Sequence, residues 1–356
     1  MIKERNRTLD IARGIACLMV LASHTISVNT VNYENTPFFR LLWSLQLPLF
    51  MLTSGLVTAY SASPNTAKEL LLFIKKRTIA YLVPLFSWVI IEESIIMSKK
   101  GFFETLNYLK YLVWHMDVAY WFLFSLWTLC MVYGISCFLS SFFFKKTVSH
   151  TVGLLLFSGV FLLALFVLML SVGFNFLCLK LTLYYSCFYY CGFLFSKIYP
   201  LVKDKRLYRK AETAVVFICA IVYLYMIINF DLWSAGDTIG GIIVRLVSSF
   251  SGCVLTFKIV NQLAASGPQN AFIKQLDIIG RQSLGFFVIQ HWFLQSIAVE
   301  KTAFLSLYGF LTFVLIFVIA LLGCKFVIYI LRTNKILSFL FLGEYKKRKN
   351  NPGENL

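Results

Sequence analysis

Charged residues are scarce in this sequence. Asp, Glu, Lys and Arg together make up 14% of the 356 residues, whereas soluble domains carry about 25%. Hydrophobic residues make up 59%, and Phe alone occurs 36 times. A soluble globule of this size has too little interior to bury so many apolar side chains. The composition therefore excludes a soluble enzyme, a disordered protein and a secreted disulfide scaffold, and it predicts a polytopic helical membrane protein.

The sequence also lacks the motifs of several common enzyme classes. It has no Gly-rich phosphate loop, no Ser nucleophile elbow and no paired-carboxylate hydrolase signal. The nine cysteines fall almost wholly inside apolar segments, without a Cys-x-x-Cys pair or a Cys/His spacing typical of metal sites. We therefore expect no metal centre, and we interpret the cysteines as small apolar packing residues.

Apolar runs long enough to cross a bilayer, roughly 20 residues each, recur about ten times. The predicted spans are 9–27, 41–60, 78–97, 118–139, 150–171, 174–196, 212–230, 239–259, 283–299 and 305–331. The sequence thus predicts an all-α integral membrane protein with about ten transmembrane helices. Residues 9–331 form its transmembrane domain in this interpretation.

The formal net charge of +17 is explained by membrane topology. If the loops alternate from a cytoplasmic N-terminus, Lys and Arg are about four times as numerous on the inner side as on the outer side. This asymmetry predicts an even number of helices, with residues 1–8 and the basic tail 332–356 both in the cytoplasm. Contact between the tail and anionic lipid headgroups is a secondary expectation, and we expect no nucleic-acid partner.

The first predicted span contains three ionisable residues, Asp10, Arg13 and His24. Such residues are costly inside a membrane and are therefore functional candidates. At 100° per residue, Arg13 and His24 project from one helix face, about 16 Å apart along the axis, and Asp10 can pair with Arg13. This suits a long ligand that enters from the cytoplasm with an anionic and a reactive end. Alternatively, Arg13 snorkels to the interface and His24 hydrogen-bonds a neighbouring helix.

Four segments resemble, in order, the LDxxRGIA, PLFFxxSG, WFL and GxxSLGxxxxxH segments of the membrane acyltransferase-3 family. They are LDIARGIA (9–16), LPLFMLTSG (47–55), YWFL (120–123) and GRQSLGFFVIQH (280–291). An Arg and a His separated by ten residues in the first membrane helix are also similar to that family. The resemblance extends over nearly the whole chain, and its segments fall on matching helices.

The resemblance implies O-acylation, usually O-acetylation, of a carbohydrate or related cell-envelope acceptor, with acetyl-CoA as the donor. It also implies that His24 is the catalytic histidine and that Arg13 binds or orients the CoA ester. The chemistry is compatible, since a neutral imidazole can take a proton from a sugar hydroxyl as it attacks the thioester. A guanidinium can bind phosphate or polarise a carbonyl. Transfer is direct or passes through an acetyl-histidine.

Further expectations follow from this resemblance. The protein is expected in the bacterial inner membrane, with acetyl-CoA, a glycan or lipid-linked glycan and membrane lipids as partners. The family commonly has an Arg-x-x-Arg pair before a Pro in the third helix. Here Arg77 is present, but Ala80 stands where the second arginine is expected. We predict that Arg77 and Lys76 contact the CoA phosphates. An ordinary cytoplasmic cluster of positive charge is an equally good interpretation.

The remaining candidates for the substrate pocket are Asp10, Ser54, Trp121, Arg245 and His291, and Glu92 and Glu93 are either charge partners or further acceptor contacts. His291 could instead hydrogen-bond a neighbouring helix, and Ser54 could belong to a packing seam of small residues. Arg245 is expected to face the bundle interior, and Trp121 could belong to the interfacial aromatic belt. An alternative function is a flippase or exporter of lipid-linked saccharides, although the two halves show no convincing repeat.

Overall fold

The computed structural model describes residues 6–61, 63–92, 102–116, 120–144, 146–203, 205–232, 238–265, 270–299 and 301–344. Its helices are α1 (Arg7–Asn29), α2 (Pro37–Tyr60), α3 (Ala67–Ile91), α4 (Phe102–Trp114), α5 (Trp121–Phe143), α6 (Thr147–Val172), α7 (Leu179–Val202), α8 (Arg206–Asn229), α9 (Ile239–Ala265), α10 (Ala271–Arg281), α11 (Ser283–Ser296), α12 (Leu307–Thr333) and α13 (Lys335–Leu342). Two short strands, β1 (Thr30–Val31) and β2 (Thr302–Ala303), pair in parallel.

The predicted all-α polytopic class is confirmed. Each of the ten predicted spans overlaps a helix, namely α1, α2, α3, α5 to α9, α11 and α12. Residues 93–97 and 118–119 of the third and fourth spans lie outside the described residues. Within the described residues, seven helices are long and apolar enough to cross a membrane: α1, α2, α5, α6, most of α8, α9 and α12. With 14 residues, α11 is too short to cross a hydrocarbon core about 30 Å thick. The count of ten and the cytoplasmic termini stay predictions.

The chain divides into two compact units. The first comprises Met1–Ser61 and Phe188–Lys325, and the second comprises Ala62–Cys187 and Phe326–Leu356. In the first unit α1 is central, because α2, α9, α10 and α11 all pack against it. Its apolar residues meet different neighbours along its length: Ile11 and Ala12 meet α9 and α10, Leu21 meets α11 and α12, and Ile26 meets α2. The helix that carries Arg13 and His24 is thus enclosed by protein.

The helices α1 and α11 run side by side in the same direction. The Cys17 thiol lies 3.7 Å from the Ser283 carbonyl oxygen, and seven residues further along α1, His24 faces His291. Beyond the two helices, Thr30 of β1 lies opposite Thr302 of β2 in a parallel ladder. This pairing connects the segment that follows α1 with the segment that follows α11.

Small residues bring α2 and α7 into backbone contact within the first unit. A Cβ at Gly55 would overlap the Tyr189 carbonyl oxygen, and a Cβ at Gly192 would overlap the Leu52 carbonyl oxygen. Ser54 is buried beside this contact. The geometry supports the packing-seam interpretation of this segment, and a substrate-binding role for Ser54 stays a prediction.

In the second unit α3 packs against α5, and α5 packs against α6. A capping box begins α3, in which Thr66 and Glu69 each accept a hydrogen bond from the other residue's backbone N–H. Glu69 lies ahead of the predicted span 78–97 and is exposed to solvent. The N–H groups of Asn65 and Thr66, at 2.9 and 3.0 Å from its carboxylate, hold the pKa of Glu69 below its usual value.

The expected basic tail 332–356 begins with an apolar helix, α13, which packs against α3. A Gly343 in the left-handed conformation ends α13, and a Cβ there would lie 2.6 Å from the Ala80 carbonyl oxygen. The two backbones therefore touch at the position where the family's second arginine is expected. The cytoplasmic location of this segment stays a prediction.

Replacing Trp88 with Phe should detach α13 from α3. The buried Trp88 donates its indole N–H to the Phe341 carbonyl oxygen at 3.0 Å, and a carbonyl in the last turn of a helix has no intrahelical partner. Leaving it unsatisfied should lower the free energy of unfolding by about 1–3 kcal/mol, measured by circular dichroism during thermal unfolding in detergent. Trp114→Phe, at an exposed tryptophan of the same unit, is the control. An equal effect of both changes would contradict the prediction.

Candidate active site

The candidate catalytic residues share one face of α1. Because α1 is continuous from Arg7 to Asn29, Asp10, Arg13, Cys17 and His24 all project within about 60° of one another. The helix α11 covers this face through the contacts of Cys17 with Ser283 and of His24 with His291, and α10 contacts the backbone of α1 at Asp10. The predicted face is therefore directed into the first unit and towards α10 and α11.

At the Arg13 end of this face, α10 touches the backbone of α1. A Cβ at Gly280 would overlap the Asp10 carbonyl oxygen, and it would lie 3.0 Å from the backbone nitrogen of Gly14. Only glycine allows two helices to come so close. Asp10 is 4% exposed, and its pairing with Arg13 stays a prediction.

A charged pair lies next to this contact between α10 and α1. From the sequence, its arginine was counted only as cytoplasmic positive charge. Arg281, next to Gly280, forms an ion pair with Asp277 one turn earlier in α10. The sequence feature that could have marked Arg281 as a candidate is its position inside the GxxSLG segment. The pair lies one residue from the point where α10 touches the turn of α1 that carries Arg13.

At the other end of the face, His24 and His291 meet. Their ring centroids are 6.2 Å apart and the rings are nearly perpendicular, at 85°. His24 is partly buried and His291 is exposed. The structure thus brings together two imidazoles that were predicted separately, on helices that are distant in sequence. Two adjacent imidazoles can act as base and acid near neutral pH.

Two buried amides lie in the same unit, and neither was a candidate site residue from the sequence. Ser23, beside His24, donates a hydrogen bond to the Gln46 amide oxygen at 2.6 Å. Gln290, beside His291, is 2% exposed. The only sequence signal was a polar residue inside an apolar span, which is expensive in a membrane protein.

Arg245 of α9 binds the loop that follows α8. Its Nε–H donates to the Leu232 carbonyl oxygen at 3.1 Å, and its guanidinium carbon lies 5.8 Å from the centre of the Trp43 ring. The side chain is partly buried within the first unit, where these contacts offset part of the cost of its charge. Its assignment to a substrate pocket stays a prediction.

The predicted CoA-phosphate contacts, Arg77 and Lys76, belong to the second unit. The Arg77 guanidinium lies 5.2 Å from the centre of the Phe73 ring, and Nη1 donates to the Tyr81 hydroxyl at 3.4 Å. Lys76 is exposed. Stacking on an aromatic ring holds a guanidinium in place. Binding of CoA by these two residues stays a prediction.

Aromatic and acidic candidates also lie in the second unit. The ring of Trp121 is 5.3 Å from that of Tyr185. The buried Glu92 accepts a hydrogen bond from the Tyr120 hydroxyl at 2.7 Å, whereas Glu93 lies outside the described residues. Roles of these side chains in acceptor binding stay predictions. Among the residues that the structure describes, no group of three or more His, Cys, Asp or Glu side chains could hold a metal ion.

The fold and this site define a polytopic helical membrane protein with an arginine and paired histidines on packed helices. The family model described as an acyltransferase domain matches residues 6–330, which is nearly the whole chain. The protein therefore belongs to the acyltransferase-3 family and is a membrane acyltransferase. No curated protein and no solved structure matches the chain in the comparisons.

Proposed function

We propose that the protein is an O-acetyltransferase that moves an acetyl group from cytoplasmic acetyl-CoA to a hydroxyl of a bacterial surface polysaccharide or its lipid-linked precursor. The observation that carries the proposal is the His24–His291 pair on the face of α1 that also carries Arg13. Membership of an acyltransferase family favours this function over the export of lipid-linked saccharides.

In the proposed reaction His24 is the general base. Its unprotonated ring nitrogen takes the proton of the acceptor hydroxyl while the hydroxyl oxygen attacks the thioester carbonyl. The tetrahedral intermediate then collapses, the carbon–sulfur bond breaks, and the CoA thiolate takes up a proton from the imidazolium. His291, with its ring 6.2 Å from that of His24, is a second acid–base group at the same place.

Arg13 acts on the donor in this proposal. A guanidinium forms paired hydrogen bonds to a phosphate or polarises a carbonyl oxygen, and it keeps its charge at any physiological pH. Because Arg13 and His24 are about 16 Å apart along α1, an extended acetyl-CoA could contact Arg13 while its thioester reaches His24. That Arg77 and Lys76 bind the CoA phosphates stays a separate prediction.

The function is tested by two measurements. Purified protein in nanodiscs should release CoA from acetyl-CoA when membranes of a gene-deletion strain are supplied as acceptor. NMR of the surface polysaccharide of that strain should show the loss of an O-acetyl signal. A protein that releases no CoA, together with an unchanged polysaccharide, would overturn the proposal.

Replacing Arg13 with Lys should weaken the use of acetyl-CoA. Lysine retains the charge but not the paired hydrogen bonds, so kcat/KM for acetyl-CoA should fall about 10- to 100-fold, as expected for one lost charge-assisted hydrogen bond. Arg40→Lys is a matched control, since Arg40 binds the Glu34 carbonyl in the segment between α1 and α2. If kcat/KM for acetyl-CoA is the same in both variants, Arg13 does not contact the donor.

A further inference from the structure

Gln290 lies on the side of α11 that faces α1. Leu294, which packs in a cluster with Leu21 of α1, lies four residues after it. The backbone carbonyl oxygen of Ser283, which contacts Cys17 of α1, lies seven residues before it. Residues at such spacings form one stripe along a helix. The Gln290 side chain therefore starts from the helix face that is packed against α1, whereas His291 starts from its flank.

Gln290 is also at the depth of His24. The two helices run in the same direction, and seven residues beyond the contact of Cys17 with Ser283 lie His24 on α1 and Gln290 on α11. The next residue, His291, has its ring 6.2 Å from the His24 ring. The amide thus belongs to the residue next to the imidazole that meets His24.

The amide oxygen of Gln290 has an unmet hydrogen-bonding capacity. Gln290 is 2% exposed, and its Oε1 accepts no hydrogen bond from any residue in the described part of the chain. By contrast, the Gln46 oxygen in the same unit accepts one from Ser23. A buried amide oxygen without a hydrogen bond lowers the free energy of unfolding, and leucine at this position would avoid that loss. An unmet acceptor beside a reactive group indicates a ligand that brings the donor.

We propose that Gln290 binds the acceptor, with Oε1 accepting a hydrogen bond from a sugar hydroxyl adjacent to the hydroxyl that His24 deprotonates. This inference rests on the proposed acetyltransferase function. The acetyl group and the sulfur of acetyl-CoA carry no N–H or O–H donor, and the nearest amide N–H of CoA is two carbons from the sulfur, whereas a carbohydrate acceptor carries several hydroxyl groups. A primary amide can also donate to a neighbouring hydroxyl oxygen, so one side chain can bind two hydroxyls of the acceptor. Gln290 accordingly helps to determine which acceptor is acetylated.

The test compares Gln290→Leu with Gln295→Leu, which changes an exposed glutamine on the same helix. Each full-length variant is purified and assayed with radiolabelled acetyl-CoA, using membranes of the deletion strain as the acceptor. Labelled acetyl in the glycan, CoA release without acceptor, and the thermal unfolding temperature are recorded.

For Gln290→Leu we expect transfer to the glycan to fall 10- to 100-fold, the KM for acetyl-CoA to change less than twofold, and CoA release without acceptor to equal that of the wild type. Its unfolding temperature should equal or exceed that of the wild type, because a buried unsatisfied oxygen is removed. Gln295→Leu should match the wild type throughout.

Three results would overturn the inference. Transfer by Gln290→Leu at the wild-type rate would show that the amide is not needed. A raised KM for acetyl-CoA with unchanged maximal transfer would assign the amide to the donor, and a loss of transfer with a lowered unfolding temperature would show a structural role. If the wild type itself transfers no acetyl group, the proposed function fails, and this is distinguished by the wild-type assay alone.

Discussion

Replacing His24 with Ala should reduce acetyl transfer about 10³-fold while leaving the protein inserted in the membrane. A positioned general base contributes about 10²- to 10⁴-fold to a rate, and His24 is the histidine on the face that also carries Arg13. CoA release and glycan acetylation are the measurements. His150→Ala in the second unit is the control, because the His150 backbone accepts a hydrogen bond from Ser140 and its ring has no role in the proposed reaction.

A second substitution separates catalysis from packing. His24→Gln keeps a polar side chain of similar length that can hydrogen-bond a neighbouring helix, but an amide cannot act as a base at neutral pH. If His24 is the base, this variant should remain folded and be as inactive as His24→Ala. Activity near the wild-type level in His24→Gln would instead support the alternative that His24 only hydrogen-bonds a neighbouring helix.

The longer helices could be predicted from the sequence because crossing a bilayer requires about 20 apolar residues in succession. The same criterion did not identify α4, α10 and α13, which have 13, 11 and 8 residues. These helices are short, and α10 alternates apolar with charged and polar side chains, so its stability depends on packing against α1. Hydropathy therefore located the long apolar helices, whereas the shorter helices depend on tertiary contacts.

Arg13 and His24 could be predicted together because both lie on one helix, where spacing alone fixes the angle between side chains. The approach of His291 to His24 could not, since it depends on how α11 packs against a helix more than 250 residues earlier in the chain. Gly14 and Gly280 were present in the resembling segments, but their contact appears only when α10 lies on α1. Geometry within a helix is local information, and geometry between helices is not.

Replacing Gly280 with Ala should separate α10 from α1. The added methyl group would overlap the Asp10 carbonyl oxygen and crowd the backbone nitrogen of Gly14. These atoms belong to the backbone of a central helix and cannot move aside as a side chain does. Overpacking of a core costs about 1–3 kcal/mol, and we expect a loss at the upper end of this range, about 3 kcal/mol, as a lowered unfolding temperature in detergent.

Gly159→Ala is the matched control for this change. Gly159 lies inside α6 with nothing within 4 Å of an added Cβ, so alanine there should stabilise the protein by about 0.5–1 kcal/mol through its higher helix propensity. The two glycine-to-alanine changes are thus expected to act in opposite directions. Equal unfolding temperatures would show that α10 does not touch α1. Because the contact lies on the turn that carries Arg13, Gly280→Ala should also reduce acetyl transfer below the unfolding temperature, whereas Gly159→Ala should not.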